Sequence, residues 1–426
     1  MTDLATDPSV RKPPSADRSR ESRLPFLLGL IAFLHFDVLG EVYVVELILS
    51  GIIINEMIRR RKDGRGTRRA AFVKYIPKWS PMILYAIIVV QLFRSPELLP
   101  AAKGFLLYAF FLINVSGLVI LLRDDERKAR QLVYGFICSV PLSFVVQPNA
   151  YMLGDPWKFA FALPAMLLVA TLCWKASRMW MASLALAGVG FISMILNARS
   201  TGGICIAAAL VVLMYGAESV TLRAYAKTVL TPALLIVAVS GYMVYAHLAN
   251  SGQLGIEMQW KYNTQSEGDL GVLAGGRPEV FYTSAALIHD PLIGYGYKPE
   301  LTDDLSQSAR DSMLDLGYRS LALRSPHPGV DLPTHSYIFG AWVMFGLAGL
   351  VFWLGIMKHL ARNLQTVVRS RRGSMPLCVL LAGLTSWNVF FSPFGSTSRM
   401  LAAMAIVVIG ISAARAEGEE KNDHYF

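Results

Sequence analysis

"SYIFGAWVMFGLAGLVFWLGIM", residues 336–357, runs for 22 residues without a charge, up to Lys358. An α-helix of about 20 apolar residues spans the hydrocarbon core of a bilayer, roughly 30 Å thick. Inside lipid such a segment has to be helical, because no water is present to satisfy its backbone N–H and C=O groups. The stretch has a histidine, His335, immediately before it. Apolar blocks of comparable length recur between residues 24 and 413, and the composition agrees. The chain is 54% hydrophobic and 16% charged, against about 25% charged for a soluble domain. These features predict an all-α polytopic membrane protein with about twelve transmembrane helices and one large outer loop capping the outer face.

The organisation follows from the polar intervals. Residues 1–23, "MTDLATDPSVRKPPSADRSRESR", are rich in Pro, Ser and Arg and poor in large apolar groups. They are read as a disordered cytoplasmic tail, since they cannot bury enough surface to offset the entropy of ordering. Residues 24–247 hold spans one to nine, 248–335 the large outer loop, 336–413 spans ten to twelve, and 414–426 a second cytoplasmic tail. The first two spans, 24–38 and 41–58, are short and carry Asp37, Glu41 and Glu46, so a tightly turned pair or partly interfacial segments are the alternative there.

Basic residues set the orientation. "RRRKDGRGTRR" (59–69), "RDDERKAR" (123–130), "KASR" (175–178), "ESVTLRAYAK" (218–227) and "KHLARNLQTVVRSRR" (358–372) follow every second span. This is the positive-inside pattern, and it accounts for most of the net charge of +10. The excess is directed at an anionic membrane leaflet, and a nucleic-acid partner is not expected. The four cysteines, Cys138, Cys173, Cys205 and Cys378, fall inside apolar stretches and read as small buried hydrophobes. Their positions suggest neither a disulfide framework nor metal-ligand spacing.

Three polar positions on the outer side stand out. His335 carries the side chain best suited to exchanging a proton near neutral pH. Its structural alternative is an interfacial histidine beside an N-cap, Thr334 or Ser336. Arg199, in "ILNARSTGGICIAA" (195–208), lies in a tight junction between two spans, where it could instead snorkel to the headgroups. The small residues that follow it, among them Thr201 and Gly202, would leave amides open at a helix N-terminus, a setting that favours phosphate. A guanidinium beside them adds a planar fork for its oxygens. Arg277 opens the helix-like run in "GGRPEVFYTSAALIHDPLIGYGY" (275–297), where it could equally be a capping arginine. "SQSARDSMLDLGYRSL" (306–321) has helical apolar spacing, so the loop is expected to be a partly helical cap. His327 and the pair Asp303–Asp304 read as loop structure. No Walker loop, HExxH or GxSxG motif appears on the outer side, so nucleotide hydrolysis, metalloprotease and serine-hydrolase chemistries lack their parts.

An outward arginine at a tight span junction, "GGRPEVFYTSAALIHDPLIGYGY" in the outer loop, and "THSYIFGAWVMFGLAGL" (334–350) closing that loop resemble the O-antigen ligase and polymerase superfamily of bacterial membrane glycosyltransferases. The motif resemblance covers about residues 270–350, and the topology extends it over the chain. It implies a multi-pass protein of the bacterial inner membrane with its active site facing the periplasm. The donor would be an undecaprenyl-diphosphate-linked glycan, and the acceptor a lipid A core or another lipid-linked glycan. Membrane lipids and a polysaccharide chain-length regulator are the further partners it implies. The family's two functional arginines match Arg199 and Arg277, which would bind the diphosphate, and its functional histidine matches His335 as general base. Asp331, four residues earlier, is a candidate to orient the imidazole. With two arginines to neutralise the leaving group, no metal and no cofactor is expected. A lipid-glycan transporter or flippase is the rival reading, since many carriers have twelve spans with both ends inside. Carriers built from two six-span halves usually have their longest connection inside, between spans six and seven, whereas here it lies outside, after span nine.

Overall fold

The structure, a computed structural model, describes residues 23–38, 40–63, 74–94, 98–175, 179–196, 198–216, 221, 224, 228–229, 231–371 and 373–423. It begins with α1 (Leu24–Leu30), a hairpin of β1 (His35–Asp37) and β2 (Glu41–Tyr43), and α2 (Val44–Lys62). There follow α3 (Met82–Arg94), α4 (Leu98–Leu122), α5 (Glu126–Val146), α6 (Ala150–Gly154), a π turn at Trp157–Phe161 leading into α7 (Ala162–Leu172), α8 (Met179–Ile195), α9 (Arg199–Gly216) and α10 (Thr231–Asn250). The interval before the last helices holds α11 (Ile256–Ser266), α12 (Val272–Gly275), α13 (Glu279–His289), α14 (Asp303–Asp315) and α15 (Arg319–Ala322). The chain closes with α16 (Tyr337–Ser370), α17 (Met375–Phe391) and α18 (Ser396–Asp423).

The protein is a helical membrane protein. Among the described residues five helices are long and apolar enough to cross a bilayer, within Leu98–Leu122, Glu126–Val146, Arg199–Gly216, Tyr337–Ser370 and Ser398–Gly418. Four shorter apolar helices, Met82–Arg94, Trp157–Leu172, Met179–Ile195 and Met375–Phe391, pack among them. Large apolar side chains remain on the outside of the bundle, such as Leu92 at 74% and Phe93 at 81% exposure, as a lipid-facing surface requires. The tail at residues 1–23 falls outside the described residues except for Arg23. The basic stretches 59–69, 175–178 and 218–227 are described only in part.

Three expectations change. Span 24–38 is not one helix, because α1 has seven residues, a rise of about 10 Å, and the chain then turns into the hairpin. α1 packs tightly on α5 through Gly29 and Gly135, a Cβ at Gly29 falling 2.3 Å from the Leu132 carbonyl oxygen. Glu46 is no obstacle to α2, since it closes a capping box with the Tyr43 amide at 3.0 Å. Cys138 is exposed and Cys173 half-buried, so only Cys205 and Cys378 are the buried hydrophobes expected. The segment 414–426 is not simply a tail, since α18 continues to Asp423 and Arg415 meets Glu126 at 2.9 Å.

α16 holds the rearrangement that matters most. Residues 336–357 do not form one regular span, because Phe345 and Gly346 leave helical geometry. The carbonyls that the break releases are taken up by the glycine-rich turn of the preceding loop. Tyr295 N–H donates to the Val343 oxygen at 2.9 Å and Gly296 N–H to Met344 at 2.8 Å. In the other direction Leu347 N–H donates to the Leu292 oxygen at 3.0 Å. Buried backbone groups need such partners, and a broken helix at membrane depth persists only when protein supplies them. Gly346 is required here: its φ is +58°, and a Cβ would lie 2.0 Å from the Leu292 oxygen. "PLIGYGY" is therefore the segment that docks the loop into α16.

The interval between α10 and α16 is partly helical. Phe281, Tyr282, Ala285 and Ala286 of α13 pack on Leu305, Ala309 and Met313 of α14 in a second apolar core. Asp303 and Asp304 occupy the first turn of α14 behind the Thr302 cap, where carboxylates complement the helix dipole.

Candidate active site

Local folding brings His335 and Arg277 together. Ser336 is the N-cap of α16, its Oγ accepting from Phe339 N–H at 3.1 Å and donating to the Val389 oxygen at 2.8 Å. This pins the segment carrying His335 to the end of α17. On the other wall "GGRP" delivers Arg277 just ahead of α13, and its Nη1 donates to the Phe391 oxygen at 2.8 Å. The Phe391 ring lies 5.7 Å from the guanidinium carbon, within range of a cation–π contact. The two walls enclose a cavity of about 190 Å³. Arg277, Glu279, Thr283, Ser284, His335 and Ser336 give it a polar side, and Phe339, Phe390 and Phe391 an aromatic one.

Glu279, not foreseen from sequence, completes the arrangement. Its Oε1 lies 3.4 Å from His335 Nδ1, with side-chain exposures of 23% and 47% respectively. Among the described residues its Oε2 is buried without a hydrogen-bond partner. A carboxylate near Nδ1 favours the proton on that nitrogen, an arrangement in which Nε2 can accept one. The available signal was positional: Glu279 stands two residues after Arg277, in the first turn of a predicted helix.

Asp331 does not orient the imidazole. It pairs with Lys298 at 3.4 Å and forms an isolated bridge to Glu300, and it lines a neighbouring cavity with Tyr297, Thr334 and Tyr337. Its side chain is committed to Lys298, and Glu279 is the carboxylate at His335 Nδ1.

Arg199 reaches the same end of the bundle without entering the cavity. It is exposed in the first turn of α9, its guanidinium 4.7 Å from the Tyr245 ring. α9 packs against α17, and Ile204 approaches Gly383 so closely that a Cβ there would lie 3.0 Å away. α17 then continues to Phe391, the residue that holds Arg277. Gly202 is not an open anion-binding amide: its N–H donates to the Ala198 oxygen at 2.8 Å. Its missing side chain serves packing, since a Cβ would fall 2.6 Å from the Gly190 oxygen. Thr201 is half-buried in the same helical turn.

A second ionic cluster lies deeper at this end. Glu46 and Arg399 are 1% and 3% exposed. Arg399 Nε lies 2.8 Å from Glu46 Oε1 and its Nη2 donates to Oε2 at 3.0 Å. Asn114 Nδ2 donates to Oε1 at 3.3 Å. The opposite end is marked by Lys74 and Tyr75 on Asp124 and by Arg415 on Glu126.

No protein-family model matches this chain, and no curated protein matches it.

Proposed function

We propose that this protein is a bacterial inner-membrane glycosyltransferase that moves a glycan from undecaprenyl diphosphate to a sugar hydroxyl, in the manner of O-antigen ligases and polymerases. One observation carries the reading: His335, its carboxylate partner Glu279 and the cation Arg277 line one cavity, where the sequence resemblance anticipated His335 and Arg277.

In this reading the acceptor hydroxyl loses its proton to His335 Nε2 as its oxygen attacks the anomeric carbon. Glu279 holds the tautomer and stabilises the imidazolium that forms, and such a positioned base contributes about 10²–10⁴-fold. The bond from the anomeric carbon to the diphosphate breaks, and Arg277 faces the charge left on the bridging oxygen. A fixed cation at a water-poor boundary stabilises developing charge more than one in bulk water. Arg199, stacked on Tyr245, is the second cation and would have to swing toward the headgroup. The cavity is smaller than the roughly 300–1,000 Å³ of drug-sized sites, so it suits a headgroup, with the lipid tail and glycan outside. The active site faces the periplasm in this account, and the end marked by Asp124 and Glu126 is cytoplasmic.

The test is transfer by purified protein from a synthetic lipid-diphosphate glycan at a temperature well below unfolding. Turnover is expected to survive EDTA and to fail in His335→Ala. Turnover that persists in His335→Ala overturns the reading. A deletion strain then distinguishes acceptors. Accumulated single repeat units indicate a polymerase, the reading we favour since no lipid A core site stands out in the sequence. Long polymer on undecaprenyl diphosphate indicates a ligase.

Transport has one observation in its favour, the buried Glu46–Arg399 pair, because intramembrane ions often mark transport routes. Each Glu46 oxygen already has two partners, which describes a fixed link between α2 and α18.

A further inference from the structure

The β1–β2 hairpin presents a second polar constellation, separate from the cavity of Arg277 and His335. His35 and Asp37 stand two apart on β1, and Asp37 pairs directly with Glu41 on β2. The pleat turns these three side chains to one face. One ligand-type atom from each lies within 4.8 Å of those from the other two.

Two features distinguish this face from a solvated acidic turn. Asp37 and Glu41 are carboxylates directly opposite each other, a cross-strand arrangement that is destabilising on its own. Among the described residues neither is paired with a lysine or arginine. Arg399 donates Nη2 to the Glu41 backbone oxygen and forms its ion pair with Glu46. The histidine is also prepared. His35 Nδ1 lies 3.1 Å from the Phe33 oxygen, and its ring packs 5.3 Å from Tyr43. An Nδ1–H held by a backbone carbonyl is the usual outer partner of a metal-bound imidazole, and it leaves Nε2 with its lone pair outward.

We propose that His35, Asp37 and Glu41 bind a divalent first-row cation, with Zn²⁺ the best match to one imidazole and two carboxylates. Tetrahedral ligands at 2.0–2.2 Å from zinc lie about 3.3–3.6 Å apart, so the side chains have to close by at most about 1.5 Å from the 4.8 Å within which they stand. Three protein ligands leave a position for water. The cation offsets the repulsion between Asp37 and Glu41 and ties β1 to β2. Glu41 also accepts from Ser396 Oγ, so the tie extends to the start of α18, just past the Phe391 carbonyl that holds Arg277. The site is independent of the transfer chemistry proposed above.

The test uses the full chain in detergent, without a polyhistidine tag and in a His335→Ala background, so that no turnover enters. The protein is equilibrated with Zn²⁺, desalted and assayed for bound metal and thermal unfolding. About one Zn²⁺ per chain is expected, with an unfolding midpoint raised by Zn²⁺ and lowered by EDTA. His35→Ala and Asp37→Asn should each weaken binding at least about tenfold and abolish the response of the midpoint. Asp37 is exposed, so Asp37→Asn remains informative if His35→Ala does not fold. No retained Zn²⁺, or equal retention in the Asp37→Asn protein, overturns the proposal and leaves the transferase reading untouched.

Discussion

Two ionic clusters stand at the same end of the bundle and differ in how completely they are satisfied. Glu46 and Arg399 are almost fully buried, and four contacts converge on the two carboxylate oxygens. Arg277, Glu279 and His335 are partly open. Among the described residues the imidazole has one partner in Glu279 Oε1, and Glu279 Oε2 has none. A buried carboxylate with both oxygens engaged has little left to offer a ligand, even though Arg399 Nε makes its 2.8 Å contact without hydrogen-bond geometry. Removing one partner of the pair is costly because the survivor stays charged in a poor solvent. A half-exposed group with spare donors and acceptors adds little to stability and is available for chemistry. The contrast separates structural ions from functional ones here, and it can be broken experimentally.

The largest effect is expected at the open cluster, in rate alone. His335→Ala should lower the transfer rate by about 10²–10⁴-fold and leave the unfolding midpoint near that of the parent, since the side chain is 47% exposed. Arg399→Ala should do the reverse, destabilising by about 3–5 kcal/mol, measured by chemical unfolding in detergent. If His335→Ala unfolds the protein, or Arg399→Ala leaves stability unchanged, the division fails. Gly346→Ala comes next. A residue at φ +58° whose Cβ meets the Leu292 oxygen at 2.0 Å costs on the order of 1–3 kcal/mol in strain. It should also undock "PLIGYGY" from α16, so transfer falls together with stability, which neither cluster variant is expected to do.

Much of this arrangement was legible in the sequence, for reasons that can be named. Apolar blocks and alternate basic loops are dictated by lipid and water, so the helical membrane fold follows from composition and order. Ser336 as cap, α14 within the loop, and the shared cavity of Arg277 and His335 were local or motif-borne signals. The break in α16 was not legible, because Gly346 in an uncharged run looks like any small residue until its partner Leu292, far back in the chain, is known. The shortness and charges of 24–43 already pointed to a turned arrangement, but the packing that sets its short helix and hairpin was hidden in the same way. Gly29 is a packing glycine only because Gly135 faces it. Glu279 was missed because it is defined by contact with His335, 56 positions further on in the sequence, and Asp331 was favoured by nearness along the chain.

That last exchange gives the smallest and most selective test. Sequence position put Asp331 within reach of His335, but among the described residues it is Glu279 that approaches Nδ1. Glu279→Gln keeps size and packing while removing the charge that stabilises the imidazolium, so kcat should fall at least about tenfold, or 1.4 kcal/mol, with little change in KM. Asp331→Asn breaks only the contact with Lys298, whose partners are 58% and 65% exposed. An ion pair so exposed contributes about 0–1 kcal/mol, and the substitution should leave both kcat and the unfolding midpoint nearly unchanged. The reverse result, a slow Asp331→Asn enzyme and a normal Glu279→Gln one, would mean that the loop rearranges on binding substrate and that the imidazole changes partners before it takes up the proton.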